Sequence, residues 1–160
     1  MLTAKGKYSL KALIHLSRLK PGQKGQASEI ARTANIPKKF LDAILGELRN
    51  AGFVYAKKGP GGGYMLASAA TDIKVGHLIR VIDGPLAPIA CASRTQYAPC
   101  QDCRSVKTCG VRFAMSKVRE AISDVLDGMS IADMVAVSEE ANVTSIFVGT
   151  RSSRSNRKRR

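Results

Sequence analysis

Residues 27–66 read ASEIARTANIPKKFLDAILGELRNAGFVYAKKGPGGGYML, and their patterning decides the fold. The opening Ala27 to Thr33 is long enough for two helical turns, with Ile30 and Ala31 facing inward. Ala34-Asn35 then predicts a tight turn, because asparagine tolerates the left-handed backbone such a turn needs. Pro37 suits the first position of a second helix, where its missing N–H has no intrahelical partner. That helix is expected over Pro37 to Asn50, with an apolar face of Phe40, Leu41, Ile44, Leu45 and Leu48, and Ala51-Gly52 closes it. Phe53 to Ala56 and Tyr64 to Leu66 read as strands around the turn KKGPGGG, giving a β-hairpin with a basic, glycine-rich tip.

Two short helices joined by a tight turn and followed by a hairpin describe a winged helix-turn-helix. The elements around it fit. Upstream, Tyr8, Leu10, Leu13, Ile14 and Leu16 mark one face of a helix over residues 3–19, ended by Pro21-Gly22. Downstream, KVGHLIRVID (74–83) is a short helix, and residues 84–109 hold all four cysteines without periodicity. A long helix is expected from Val111 to Leu126, with another turn or two from Ser130 to Val135. After about Ser138 the pattern is lost, and the chain runs out in TRSSRSNRKRR. The expected fold is therefore mainly α with a small β-hairpin wing, divided into four parts. Residues 1–83 form a winged helix-turn-helix domain and 84–110 a cysteine-rich loop. Residues 111–136 form a dimerisation helix with a short helix after it, and 137–160 a disordered basic tail.

The chain carries a net charge of +14. Residues 1–70 hold 12 basic and 3 acidic side chains, whereas 71–138 hold 8 and 7. A basic domain beside a neutral middle implies a polyanionic partner for that domain, and double-stranded DNA suits the motif. The second helix of such a unit enters the major groove by its N-terminal residues. Here Lys38 and Lys39 can meet phosphates or guanine, and Asp42 can accept from cytosine. Lys57 and Lys58 of the wing would reach phosphates, and Gly61 and Gly62 let its backbone come close. A nucleotide-binding loop is excluded at the wing, since no Gly-Lys-Ser/Thr follows the glycines. No apolar run approaches the roughly 18 residues of a membrane span. The N-terminus lacks a signal peptide's apolar core, so a cytoplasmic protein is expected.

The cysteines fall as Cys91-x8-Cys100-x2-Cys103-x5-Cys109. Four soft thiolates within so short a segment suit an iron–sulfur cluster, zinc or copper(I), and spacing alone leaves the metal open. Cys109 stands at the start of the long helix, whose N-terminus favours a thiolate or an anionic cluster. Along that helix Val111, Met115, Val118, Ile122 and Val125 recur at 4, 3, 4 and 3, a coiled-coil-like seam suited to a homodimer.

The segments LTAKGKYSLKAL, IPKKFLDAILGELRNAGFV and KKGPGGGYML resemble the bacterial Rrf2 regulators over about residues 1–136, with GPGGGY the most specific part. The resemblance implies a homodimeric winged-helix regulator, usually a repressor, that senses iron, cluster status, nitric oxide or redox state. In cluster-binding members three loop cysteines ligate iron. The match falls on Cys91, Cys103 and Cys109, because five residues separate the last two. A fourth ligand, a carboxylate of the first helix or a histidine after the last cysteine, is replaced here by Lys7 and Arg112. Cys100 is the available substitute, with a two-iron or four-iron cluster both open. Asp42 stands where a glutamate tunes sequence choice in one branch of the family.

Other readings remain at the level of sequence. A metal-free thiol or disulfide switch on the same fold is one. A zinc-stabilised RNA-binding protein is another, weakened by an aromatic content of 5%. An enzyme, and with it a small-molecule substrate, is disfavoured. His15 and His77 both lie among apolar neighbours, and no nucleophile–base pair stands out.

Overall fold

The computed structural model describes residues 2–103 and 105–139. Of the expected basic tail, residues 140–160 lie outside the described residues, and 137–139 continue the last helix. The elements run α1 (Ala4–Ser17), α2 (Ala27–Thr33), α3 (Lys38–Asn50), β1 (Val54–Lys57), β2 (Gly63–Leu66), α4 (Val75–Ile82), α5 (Gly110–Gly128) and α6 (Ile131–Glu139). A single 3-10 turn, Ala90–Ala92, interrupts the long connection between α4 and α5.

Local chemistry sets the boundaries. Thr3 caps α1, its hydroxyl accepting the Gly6 N–H at 3.2 Å. Asp83, at the end of α4, accepts the Thr3 N–H at 2.8 Å and its hydroxyl at 2.5 Å, so the two helix ends are tied together. Between α2 and α3, Asn35 takes φ 49°, and the Ile36 N–H reaches back to the Ala31 carbonyl at 2.9 Å. That is the Schellman closure expected of an asparagine there. Pro37 sits one residue earlier than expected, as the N-cap of α3, and its carbonyl accepts from Phe40 and Leu41.

One core joins these pieces. Leu13, Ile30, Leu41, Ile44, Leu45, Leu48, Leu78 and Ile131 are buried almost completely. Each contributes on the order of 1.5–3 kcal/mol by leaving water. Phe40 departs from the expected apolar face, for it is 60% exposed. A helix turns about 100° per residue, so once Leu41, Ile44, Leu45 and Leu48 take the core, Phe40 falls on the flank. There its ring lies 6.4 Å from that of Tyr8 on α1.

β1 and β2 pair antiparallel with Val54 opposite Leu66 and Lys57 opposite Gly63. Gly25 extends the ladder, exchanging both backbone hydrogen bonds with Tyr64 at 2.9 Å. α6 returns to the N-terminal core. Ile131 donates to the Ile73 carbonyl at 3.0 Å, and Val75 donates to Met129 at 3.0 Å. Ser130 and Asp133 cap α6 reciprocally, at 2.8 Å and 3.1 Å. The segment 111–136, read from sequence as a separate dimerisation unit, is thus anchored in the core by its second helix. α5 buries no residue fully.

Candidate DNA-binding surface and cysteine centre

The helix-turn-helix and its wing present the expected basic groups outward. Lys38, Lys39, Lys57 and Lys58 are all exposed. In the free chain Lys38 is engaged with Asp42, its ammonium 2.8 Å from the carboxylate one turn on. The two groups expected to meet DNA at this edge of α3 are therefore paired with one another. Gly61 and Gly62 differ in kind. Gly61 adopts φ 69° at the exposed tip, with open space where a Cβ would stand. At Gly62 a Cβ would lie 2.4 Å from the Lys57 carbonyl oxygen, so its lack of a side chain serves the hairpin itself.

The sequence reading did not place the lysines of α1 beside α3. Lys7 and Lys11 hold their ammonium groups 5.3 and 5.9 Å from the centre of the Tyr8 ring, which in turn leans on Phe40 of α3. Lys11 also donates to the Asn35 carbonyl at 3.2 Å. Two more cations thus flank α3. The available signal was the i, i+4 spacing of lysines around an aromatic residue.

In the cysteine loop, Cys109 is the N-cap of α5, and its sulfur accepts the Arg112 N–H at 3.4 Å. The Cys103 thiol donates to Cys109 Sγ at 3.7 Å. This contact splits the two thiols. Cys103 keeps its proton, its pKa pushed up to about 12 by the hydrogen bond to Cys109 and then that to Cys100. Cys109 is shifted down by the Arg112 backbone N–H first and the Cys103 thiol second. Cys91 is buried in the 3-10 turn Ala90–Ala92. Its carbonyl accepts from Arg112 Nε at 2.9 Å, and Arg119 Nη1 reaches the Ala92 carbonyl at 2.5 Å. Cys103 and Cys109 are therefore together, Cys100 is beside Cys103, and Cys91 is fastened to α5 through an arginine. Among the described residues, no three His, Cys, Asp or Glu side chains surround a common metal position. All four thiols are free.

Residues 2–137 match the family described as Rrf2, iron-dependent transcriptional regulator. The chain belongs to the Rrf2 family. A curated Rrf2 relative, an HTH-type transcriptional regulator of Rhodobacter capsulatus described as rrf2-like, is 40% identical over 144 residues, covering 88% of this chain and 96% of that one. Among solved structures, CymR, the global cysteine regulator of Bacillus subtilis, superposes with a TM-score of 0.69 at 29% identity, covering 85% of this chain and 96% of that one. IscR of T. potens superposes with a TM-score of 0.67 at 28% identity, covering 92% and 95%. This Rrf2 protein is thus a winged-helix transcriptional regulator, and the RNA-binding and enzyme readings fall away. Among the described residues no helix is long and apolar enough to cross a membrane.

Proposed function

We propose that this Rrf2 regulator acts as a homodimeric repressor whose cysteine loop holds an iron–sulfur cluster. The observation that carries the reading is the Cys103–Cys109 pair at the start of α5. Two thiolates about 2.3 Å from one tetrahedral metal lie about 3.7–3.8 Å apart, and these sulfurs are 3.7 Å apart. The donor set also fits, since thiolates suit iron–sulfur centres. Cys91, Cys100, Cys103 and Cys109 are the proposed ligands. When bound, the cluster supplies a redox- and nitric-oxide-sensitive centre. The chain's own residues carry its status outward. Cys109 caps α5, and Arg112 joins that cap to the Cys91 turn. With Cys91 and Cys109 both holding the cluster, Arg112 would join its two ends to the start of α5, so that a change at these cysteines would reach α5 and, through it, the spacing of two recognition helices.

The homodimer reading rests on the outer stripe of α5. Val111, Val118 and Val125 are 66%, 41% and 62% exposed, with Met115 and Ile122 between them. In each protomer Lys38, Lys39, Asp42, Lys57, Lys58, Gly61 and Gly62 face the operator, supported by Lys7 and Lys11.

Anaerobic purification with an absorption spectrum and iron and sulfide analysis tests the cluster. Brown protein absorbing near ~400 nm, with iron and sulfide matched at on the order of two to four per chain, is expected. A Cys103→Ala protein that binds DNA like the loaded parent overturns the coupling. The same close pair favours a second reading, a metal-free thiol switch, as does the likeness to a cysteine regulator. Colourless protein from iron-replete anaerobic cells, with DNA binding that responds to dithiol reductant, selects it.

A further inference from the structure

A cavity of about 250 Å³ opens between α5 and the connection that follows α4. It lies outside the cysteine centre and the DNA-facing surface. Its walls include three guanidinium groups, Arg80, Arg94 and Arg119, and two carboxylates, Asp124 and Asp127. Most of this charge is already spoken for. Arg80 grips Asp127 through two hydrogen bonds of 2.6 and 2.7 Å. Arg119 donates to the Ala92 carbonyl and, at 3.1 Å, to Glu120. Two opposite charges on the wall are less tightly engaged than these. Arg94 has its side chain 76% exposed, with only a loose 3.8 Å approach to Glu120. Asp124 is exposed, and among the described residues its carboxylate makes no ion pair or hydrogen bond. Pro85, Leu86 and Ala87 supply an apolar wall between the polar ones.

We propose that this cavity is an effector site for a small zwitterion, an α-amino acid. Its carboxylate pairs with Arg94, beside Arg119, and its ammonium pairs with Asp124. Its side chain lies on Pro85 to Ala87. The volume, below the roughly 300–1,000 Å³ of pockets for drug-sized ligands, suits an occupant of this size class. A single-charge ligand leaves one of the two groups unanswered. The position gives binding a consequence. An occupant bridges the Ser93–Thr95 segment, just after the Cys91 turn, to α5, across the junction Arg119 already spans. It favours the arrangement in which α5 is docked, and so shifts DNA affinity whatever the cysteines hold.

Calorimetric titration of the full-length protein with each of the twenty proteinogenic amino acids tests the site, with acetate and ethylamine as single-charge controls. At least one amino acid is expected to bind saturably, with both controls weaker by at least roughly tenfold. Arg94→Ala and Asp124→Asn, both surface changes, should each weaken that amino acid by roughly 10- to 100-fold while leaving the thermal midpoint of the free protein unchanged. Three outcomes overturn the proposal: no saturable binding of any amino acid at millimolar concentration, acetate or ethylamine binding as well as the best amino acid, or both variants binding like the parent.

Discussion

The winged-helix core and helix α5 are held in opposite ways. In the core, leucines and isoleucines from α1, α2, α3, α4 and α6 are sealed from water, so that unit stands on apolar burial. α5 has no fully buried residue; Leu126 packs against the core, and the rest of its hold on the chain is largely polar. Arg112 near its start and Arg119 at its middle hold the carbonyls of Cys91 and Ala92, and Asp127 meets Arg80 near its end. Apolar burial is indifferent to pH and redox state. Polar clamps are individually weak and respond to charge. On the proposed function, the contrast separates a DNA-reading unit that must keep its shape from a helix that would be repositioned.

The largest effect that distinguishes the two is expected in the core. Leu45 is fully buried, and Leu45→Ala should cost about 2–5 kcal/mol. Urea unfolding should show it as a lower midpoint at unchanged slope, and a loss under about 1 kcal/mol means the site collapses around the missing atoms. The matching change on α5 is Val118→Asp. The fold should lose far less by it than by Leu45→Ala, because Val118 is 41% exposed. The proposed symmetric interface would lose the contact twice, each time less than the about 1.5–3 kcal/mol of a fully buried side chain, because Val118 is already partly covered. Sedimentation should show monomers with an intact circular dichroism spectrum. A Val118→Asp protein that still sediments as a dimer moves the interface off this stripe.

The same contrast governs what could be read from the sequence. The helix-turn-helix and wing were legible because their punctuation is local: Asn35 takes the left-handed turn, Pro37 opens α3, and glycines occupy the tip. Phe40 was misplaced because helical period fixes the direction of an apolar stripe better than its edge. Arg112 and Arg119 clamp α5 onto backbone carbonyls, which no residue type announces, so their roles were invisible. Cysteine spacing named the donors but not their grouping, because a loop without periodicity carries no record of which thiols face each other. α6 shows a signal overlooked. Ser130-Ile-Ala-Asp133 has the spacing of a capping box, yet only a turn or two was expected there.

That cap gives an intermediate test. Ser130 is 3% exposed, and its hydroxyl accepts the Asp133 N–H while its own N–H goes to the Asp133 carboxylate. Ser130→Ala should cost about 0.5–2 kcal/mol, and because Ile131 sits in the shared core, the loss should appear in global unfolding. Early fraying of α6 alone, seen by hydrogen exchange with an unchanged unfolding midpoint, detaches this helix from the core's cooperative unit.

The smallest effect should come from the Arg80–Asp127 fork, and its sign is fixed by the carboxylate. Asp127 is held below the usual carboxylate range by the hydrogen bonds from Arg80, with burial opposing. A depressed pKa contributes stability that is complete above the unfolded value, about 3.9, and is lost as pH falls through the folded one. Both side chains reach water, with 29% and 47% of their surface exposed, so the contribution is about 1 kcal/mol or less. Arg80→Ala should remove it, flattening the fall in melting temperature below about pH 4. Gly76→Ala breaks the fork without touching either charge, because its Cβ would stand 2.0 Å from Asp127 Oδ1. Glycine lowers helix propensity by roughly 0.8–1.0 kcal/mol relative to alanine, so Gly76→Ala should offset the lost fork at neutral pH yet show the same flattening in acid. If it keeps the parent's acid dependence, Asp127 has found another partner, and the far end of α5 is held by something other than this arginine.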